Sequence, residues 1–265
     1  MSTTKQIVFI SHGGGPLPLL NDPAHAALVE QLKTLPQQLR KPKAIIVISA
    51  HWEADEIRVT DASAPALLYD YYGFPPESYQ LKYPCKGEPE LAKSIVAELN
   101  GAGIPAKTES KRGLDHGVFV PLKLMYPEAD IPVVQVSLSA TLDPVLHLQV
   151  GEVLAQIPQD GLLIIGSGFS FHNMRAFFSP ATVQTQQLNN AFEQWLKDSL
   201  SLKHSYASIR GQLTNWEQAP GARFCHPREE HLLPLHVCAG AAGQGTDNYE
   251  DIMVLNKRAG FFGWL

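Results

Sequence analysis

Four short apolar runs, each bounded by turn-forming residues, stand out along the chain. They cover residues 6–10, 44–50, 131–137 and 161–166. None of them alternates apolar with polar positions, and continuous runs of this length are typical of strands buried on both faces, as in parallel sheets. The pattern therefore predicts four buried strands, most of them parallel.

Longer stretches with helical periodicity separate these runs, at roughly 23–39, 88–100, 142–157 and 183–200. Strand and helix that alternate at this spacing predict right-handed crossover connections. We therefore expect an α/β fold in which a central, mostly parallel sheet carries helices on both faces. A single domain over residues 1–265 is the simplest organisation.

One segment, at 67–84, fits neither a strand nor a helix. It is rich in proline and tyrosine, and it is too irregular for a regular element and too aromatic for a linker. We interpret it as a functional loop or as the wall of a pocket.

The composition narrows the class of protein. With 45% hydrophobic and 18% charged residues the chain is globular, and its net charge of −5 offers no basic surface for nucleic acid or an anionic membrane. A small molecule is therefore the expected partner. The apolar run near the N-terminus is too short for a signal or membrane segment, and three cysteines without a CxxC pair fit a reducing cytoplasm and argue against a cysteine-ligated zinc.

Histidine motifs follow three of the four predicted strands. They are His12 in SHGGGP, His51 in SAHWE and His172 in GSGFSFHN. Ligands of open α/β sheets bind beyond the carboxyl ends of the strands, so these side chains are expected at one edge. A lone histidine there is usually a surface or capping residue. Three at equivalent places favour a metal site, because neutral imidazole is the commonest metal ligand in proteins.

Two later histidines extend this set. His116 follows Asp115 in LDHGVFVPL, where the carboxylate either orients the imidazole or caps the next helix. His231 follows Glu229 and Glu230, whose charges suit the positive end of a helix dipole, so His231 is expected in the first helical turn.

Other histidines have structural interpretations. His236 lies in an apolar stretch and is expected in the core or in helix packing, whereas His25, His147 and His204 are expected on helix surfaces. The aromatic residues Trp52 and Tyr72 fit the wall of a ring-binding pocket and the core equally well.

The chain lacks the complete motifs of several other classes of enzyme. The string HGGG at His12 resembles the oxyanion hole of esterases, which also requires a GxSxG elbow that the chain lacks. A phosphate-binding GxxxxGK[ST] loop, a dinucleotide fingerprint and HExxH are absent as well. The glycines after His12 are better explained as a sharp turn that brings backbone close to a ligand.

Five motifs in order, SHGGGP, SAHWE, LDHGVFVPL, GSGFSFHN and REEHLLPL, resemble the class III extradiol ring-cleaving dioxygenases, in particular their DOPA 4,5-dioxygenase-like branch. The resemblance runs from residue 11 to about residue 240. It implies that His12, His51 and His231 ligate a metal, that His172 is an acid/base residue and that His116 lines a catechol pocket.

The ligand set departs from the wider class, which binds Fe(II) with two histidines and one carboxylate. Here His231 stands in place of the carboxylate, as in the DOPA branch. Neighbouring Glu230 is the alternative, and adjacent helical residues point about 100° apart, so we expect only one of the two to reach the metal. An all-histidine set suits Fe(II) or Zn(II), and His172 is alternatively a fourth ligand.

The implied reaction is metal-dependent cleavage by O2 of a catechol ring, DOPA-like or related, with His172 and His116 as catalytic residues. Two other functions stay open from the residues alone. One is a hydrolase that uses zinc-bound water on the same cluster, and the other is a non-catalytic metal-binding relative.

Overall fold

The computed structural model describes residues 5–265. Its strands are β1 (Gln6–Ser11), β2 (Ala44–Ala54), β3 (Ile57–Thr60), β4 (Ala106–Glu109), β5 (Val133–Ser139), β6 (Leu162–Gly168), β7 (Tyr249–Val254) and β8 (Lys257–Trp264). Its α-helices are α1 (Ala26–Thr34), α2 (Pro89–Gly101), α3 (His116–Met125), α4 (Pro144–Leu154), α5 (Met174–Phe177), α6 (Val183–Ser199), α7 (Tyr206–Thr214), α8 (Ala222–Cys225) and α9 (Leu233–Ala242).

The strands form one sheet in the order β4-β3-β5-β2-β6-β1-β8-β7. The pairs β5–β2, β2–β6, β6–β1 and β3–β4 are parallel, whereas β8 is antiparallel to both β1 and β7, and β3 to β5. The four predicted strands are the four central ones. The predicted single-domain α/β fold with a mostly parallel sheet is confirmed, while the extent of the domain over 1–265 stays a prediction.

Helices cover both faces of the sheet, as consecutive residues of β6 demonstrate. Gly166 faces α9, because a Cβ there would lie 2.5 Å from the carbonyl oxygen of Pro234. The next residue, Ser167, donates a hydrogen bond to the carbonyl of Gly117 in α3. Since neighbouring residues of a strand point to opposite faces, α9 and α3 lie on opposite sides.

Helix bounds follow the predicted periodicity closely for α2, α4 and α6. The stretch predicted at 23–39 is broken into a 3₁₀ turn at Pro23–His25, helix α1 and a second 3₁₀ turn at Leu35–Gln38. Pro36 explains the change at the second turn, because proline lacks the N–H that an α-helix interior requires.

The four outer strands were not predicted from the sequence. Strands β3 and β4 are four residues long, and the hairpin of β7 and β8 mixes charged with apolar positions. The turn between β7 and β8 places Leu255 and Asn256 at φ values of 50° and 61°, the conformation of a tight hairpin turn. No helix within residues 5–265 is long and apolar enough to cross a membrane.

Candidate metal centre and active site

Three adjacent parallel strands bring the first three histidines to one edge of the sheet. His12 directly follows β1, His51 lies near the carboxyl end of β2, and His172 follows β6. Strand β6 is hydrogen-bonded to both β1 and β2. His231 joins them from the turn before α9, and His116 joins them as the first residue of α3. We call these five residues the histidine rim.

The rings of the rim are in mutual contact. Nε2 of His12 and Nε2 of His51 are 2.9 Å apart. The ring centroid of His51 lies 3.9 Å from that of His116 and 4.9 Å from that of His231, and the His231 ring stacks on His172 at 3.4 Å. The five sequence-predicted site residues are therefore together.

Two groups of side chains in the described part of the chain, with no member in common, are compact enough to hold a metal. One consists of His12, His51 and His116, and the other of His172, Glu230 and His231. Within each group the candidate ligand atoms lie within 4.8 Å of one another. The donor atoms thus fit a divalent cation at either side of the rim.

A local irregularity of β2 positions His51. The register of β2 against β5 shifts between Ile48 and Glu53, which is a bulge, and bulges next to active sites re-aim side chains. Ser49 Oγ accepts from the backbone N–H of His51 at 3.2 Å, and the Arg112 guanidinium donates to the carbonyl of His51 at 3.0 Å. The backbone on both sides of the imidazole is therefore fixed.

Asp115 supports this arrangement, and neither expectation for its side chain was right. It occupies the cap position of α3 without a side-chain capping bond. Its buried carboxylate instead accepts from Ser49 at 2.7 Å and from Arg112 at 3.2 Å. Burial raises the pKa of Asp115, and the charge of nearby Asp70 adds to the rise.

His231 lies in a turn before α9, so its placement in the first turn of the helix was wrong. Helix α9 begins at Leu233, and the His231 carbonyl accepts from the N–H of Phe169 at 3.0 Å. Glycine is required opposite it, because a Cβ at Gly168 would lie 2.1 Å from that carbonyl oxygen. In this turn Glu230 Oε1 lies 2.9 Å from Nδ1 of His231, and the expectation that only one of the two reaches the metal stays a prediction.

Three rim histidines have Nδ1 bound to a second partner. The partners are Ser167 Oγ for His12 at 3.0 Å, Asp70 Oδ1 for His116 at 2.8 Å and Glu230 Oε1 for His231 at 2.9 Å. A hydrogen bond at Nδ1 fixes the orientation of an imidazole ring and leaves Nε2 free to bind a metal.

His172 shares the carboxylate of Glu230. Its Nδ1 lies 3.1 Å from Glu230 Oε1, and the other oxygen of Glu230 lies 3.3 Å from Arg228, which also forms a bidentate pair with Glu53 at 2.6 Å. Although burial opposes ionisation, the hydrogen bond and charge of His172 lower the pKa of Glu230. The carboxylate is therefore negative beside both rings.

Burial sets the protonation state of the innermost rings. Desolvation first, and then the neighbouring imidazoles, lower the pKa of His12, His51 and His231 well below the ordinary value of 6.5. These three histidines are neutral at physiological pH, which is the form that binds metals.

Asp70 is a site residue that the sequence interpretation missed. Its carboxylate accepts from both the backbone N–H and the ring of His116, at 2.9 and 2.8 Å. Burial opposes ionisation, but the bonds from His116 outweigh it and lower the pKa of Asp70. The signal available was a carboxylate inside the aromatic segment 67–84, which does form a cavity wall through Tyr71, Tyr72 and Phe74.

His25 is fully buried, so its expected position on a helix surface was wrong. Its Nδ1 donates to Asp22 at 2.8 Å, and its Nε2 accepts from the N–H of Gly14 at 3.0 Å. Because both ring nitrogens are satisfied, burial is tolerated. His25 packs under the glycine turn, where Gly13 has φ +83° and a Cβ would lie 2.6 Å from Leu28.

His147 is also buried, contrary to expectation, because its ring accepts from the N–H of Ser139 at 3.1 Å and contacts the carbonyl of Asp143 at 2.7 Å. The core position of His236 is confirmed. His204 is exposed as expected, but it lies in a turn and not on a helix.

The two aromatic residues that fitted either a pocket wall or the core lie in different places. Tyr72 lines the cavity in front of the rim. Trp52 is buried beneath Arg112, whose guanidinium lies 4.9 Å from the ring, and it does not line that cavity.

The edge of the sheet thus carries buried histidines that could hold a metal ion, beside a cavity with aromatic walls. The chain belongs to the family described as the catalytic LigB subunit of aromatic ring-opening dioxygenase, whose model matches residues 7–261. It is thus an extradiol ring-cleaving dioxygenase, an oxidoreductase, as the motifs indicated.

Two relatives of the chain are also named as dioxygenases. The chain is 41% identical to the 4,5-DOPA dioxygenase extradiol of Beta vulgaris, with 91% of this chain and 88% of that protein covered. It is 41% identical to Dioxygenase tasH of Hapsidospora irregularis, with 89% and 78% covered. The crystal structure of an uncharacterized protein from Escherichia coli K12 superposes with a TM-score of 0.77 at 28% identity, covering 97% and 98% of the two chains.

Proposed function

We propose that the chain binds one divalent metal ion, Fe(II) or Zn(II), through His12, His51 and His231, and that its Fe(II) form cleaves a catechol ring with O2. The observation that carries this proposal is the 2.9 Å approach of two neutral Nε2 atoms, from His12 and His51, at the carboxyl edge of the sheet. Two unprotonated nitrogens at that distance repel each other unless a proton or a cation lies between them.

A bound divalent metal would lower the pKa of the catechol hydroxyls and would bring substrate and O2 together. The overall reaction breaks one ring C–C bond beside the hydroxyls and the O–O bond. Both oxygen atoms enter the product, a muconic semialdehyde, so no external reductant is required. The names of the relatives support a catechol of the DOPA type as one candidate substrate.

The rim supplies proton transfer. Glu230 Oε1 lies 3.1 Å from Nδ1 of His172 and orients the ring, so that Nε2 of His172 can take a proton from a substrate hydroxyl and return it later. His116, oriented by Asp70 and in contact with the cavity, would position the ring or the oxygen molecule. His172 is alternatively a fourth ligand, because it groups with His231 and Glu230.

Oxygen uptake tests the proposal. Protein reconstituted with Fe(II) without O2, then mixed with L-DOPA, caffeate, protocatechuate or 4-methylcatechol in air, should consume O2 and form a yellow product. Absence of O2 uptake with every catechol would overturn the proposed function. The His172→Ala variant should retain its metal and lose turnover, whereas metal loss in this variant would make His172 a ligand.

A further inference from the structure

A cavity of about 430 Å³ lies in front of the histidine rim. It is large enough for a ligand bigger than an unsubstituted catechol ring, since ligand pockets of drug-sized molecules begin near ~300 Å³. Its floor is formed by the imidazoles. Away from the floor its walls are mostly apolar, formed by side chains that include Leu17, Phe74, Phe169, Phe177 and Leu255.

The cavity offers no cationic side chain to an anionic substituent. Among the described residues that line it there is neither lysine nor arginine, and the one acidic residue, Asp70, is committed to His116. The backbone N–H of Gly14 in the cavity wall is committed to His25. A carboxylate buried here without a partner would be strongly disfavoured.

The entrance of the cavity is also apolar. Tyr72, Met174 and Phe178 line it and are 91%, 54% and 81% exposed, which places them among the few large hydrophobic side chains that residues 5–265 leave in solvent. We call these three the apolar mouth. Contiguous exposed apolar surface at a groove is characteristic of a binding site for an apolar group.

Two arginines line a neighbouring cavity of about 700 Å³, which shares His172 with the first cavity. Arg228 there is neutralised by Glu53 and Glu230. Arg175 is exposed and is the cation in that cavity with no ion pair among the described residues. An anionic tail could therefore find a partner only by leaving the first cavity past His172.

We propose that the physiological substrate is a catechol that carries an uncharged, apolar substituent, which lies along the aromatic wall and leaves through the apolar mouth. This inference rests on the proposed function of the site. It favours such a catechol over the DOPA-type candidate, which carries a carboxylate on its side chain.

A matched pair of substrates tests the inference. 4-Propylcatechol and 3-(3,4-dihydroxyphenyl)propionate have side chains of similar length and differ chiefly in the carboxylate. With the Fe(II)-loaded protein we expect kcat/KM to be about 100-fold higher for 4-propylcatechol. Equal or faster turnover of the propionate would overturn the inference and leave the proposed function intact.

A binding measurement in the absence of turnover tests the inference a second time. Calorimetric titration of the Fe(II)-loaded protein without O2 should give tighter binding of 4-propylcatechol than of the propionate. If no catechol, these two included, supports O2 uptake, the proposed function fails, and this titration still decides the preference for an uncharged substituent. Tighter binding of the propionate would overturn it.

Positive charge placed at the mouth should weaken the preference for the uncharged substituent. Phe178→Lys puts a cation where an anionic substituent would emerge, so the ratio of kcat/KM should shrink at least about tenfold. Val183→Lys is the matched control, because Val183 is exposed to 71% and does not line the cavity, and its ratio should stay unchanged. An unchanged ratio in Phe178→Lys would contradict the proposed path of the substituent.

Arg175→Ala tests the competing path past His172. We expect the ratio of kcat/KM for the two substrates to be the same as in the unmodified protein. A selective loss of kcat/KM for the propionate would show that Arg175 receives an anionic tail, and would overturn the inference.

Discussion

The histidine rim and the apolar mouth face the same cavity and are built in opposite ways. In the rim, His12 and His231 are almost fully buried, and each has its Nδ1 bound to a partner from another element or from the adjacent residue. In the mouth, Tyr72 and Phe178 project into solvent from loop segments.

The difference reflects what each region must do. Metal binding and proton transfer tolerate little displacement, and the proposed ligands accordingly lie at a sheet edge where further hydrogen bonds hold their rings. Substrate selection depends on the size and polarity of a surface, which loops can supply and vary without disturbing the core. Substitutions in the two regions should therefore differ greatly in effect.

The largest effect is expected at the rim. His12→Ala removes a ligand whose Nε2 meets that of His51, so metal content should fall well below that of the unmodified protein and kcat/KM should fall about 1000-fold or more. Elemental analysis and circular dichroism check this, with His204→Ala as the control because His204 is exposed outside the site.

The same measurement on His231→Ala and His116→Ala sharpens the ligand set. Metal loss in His231→Ala with metal retained in His116→Ala would agree with the proposed ligands. The reverse pattern would replace His231 by His116, which shares a compact group of nitrogens with His12 and His51.

An intermediate effect is expected at Glu230, whose carboxylate contacts His231 and His172 of the rim. Glu230→Gln keeps the size of the side chain but removes the negative charge shared by His172 and His231, and loss of such a partner typically costs about 10–100-fold in metal affinity or activity. Metal titration and the pH profile of kcat should both change. Glu229→Gln is the matched control, and a variant indistinguishable from it would exclude Glu230 from the site.

The smallest effect is expected at the mouth. Tyr72→Ala removes a side chain that is 91% exposed, so the free energy of unfolding should change by no more than about 0.5 kcal/mol. KM for 4-propylcatechol should rise several-fold while kcat is nearly unchanged. A large fall in kcat would mean that the rim and the mouth are not separable.

Sequence patterns determined the central part of this molecule. Continuous apolar runs identified β1, β2, β5 and β6, because strands buried on both faces have no polar alternation. The motifs that follow these strands identified His12, His51 and His172, since the ends of neighbouring parallel strands must meet. The family and its ring-cleaving class followed from the same motifs.

Only the tertiary structure decided the surroundings of these residues. Asp70, Glu230 and Ser167 bind the rim from a loop, a turn and a strand interior, and local pattern does not reveal partners that are remote in sequence. His25 and His147 were misplaced for a related reason. A polar side chain is buried when distant groups satisfy it, and those groups are brought near only when the chain folds.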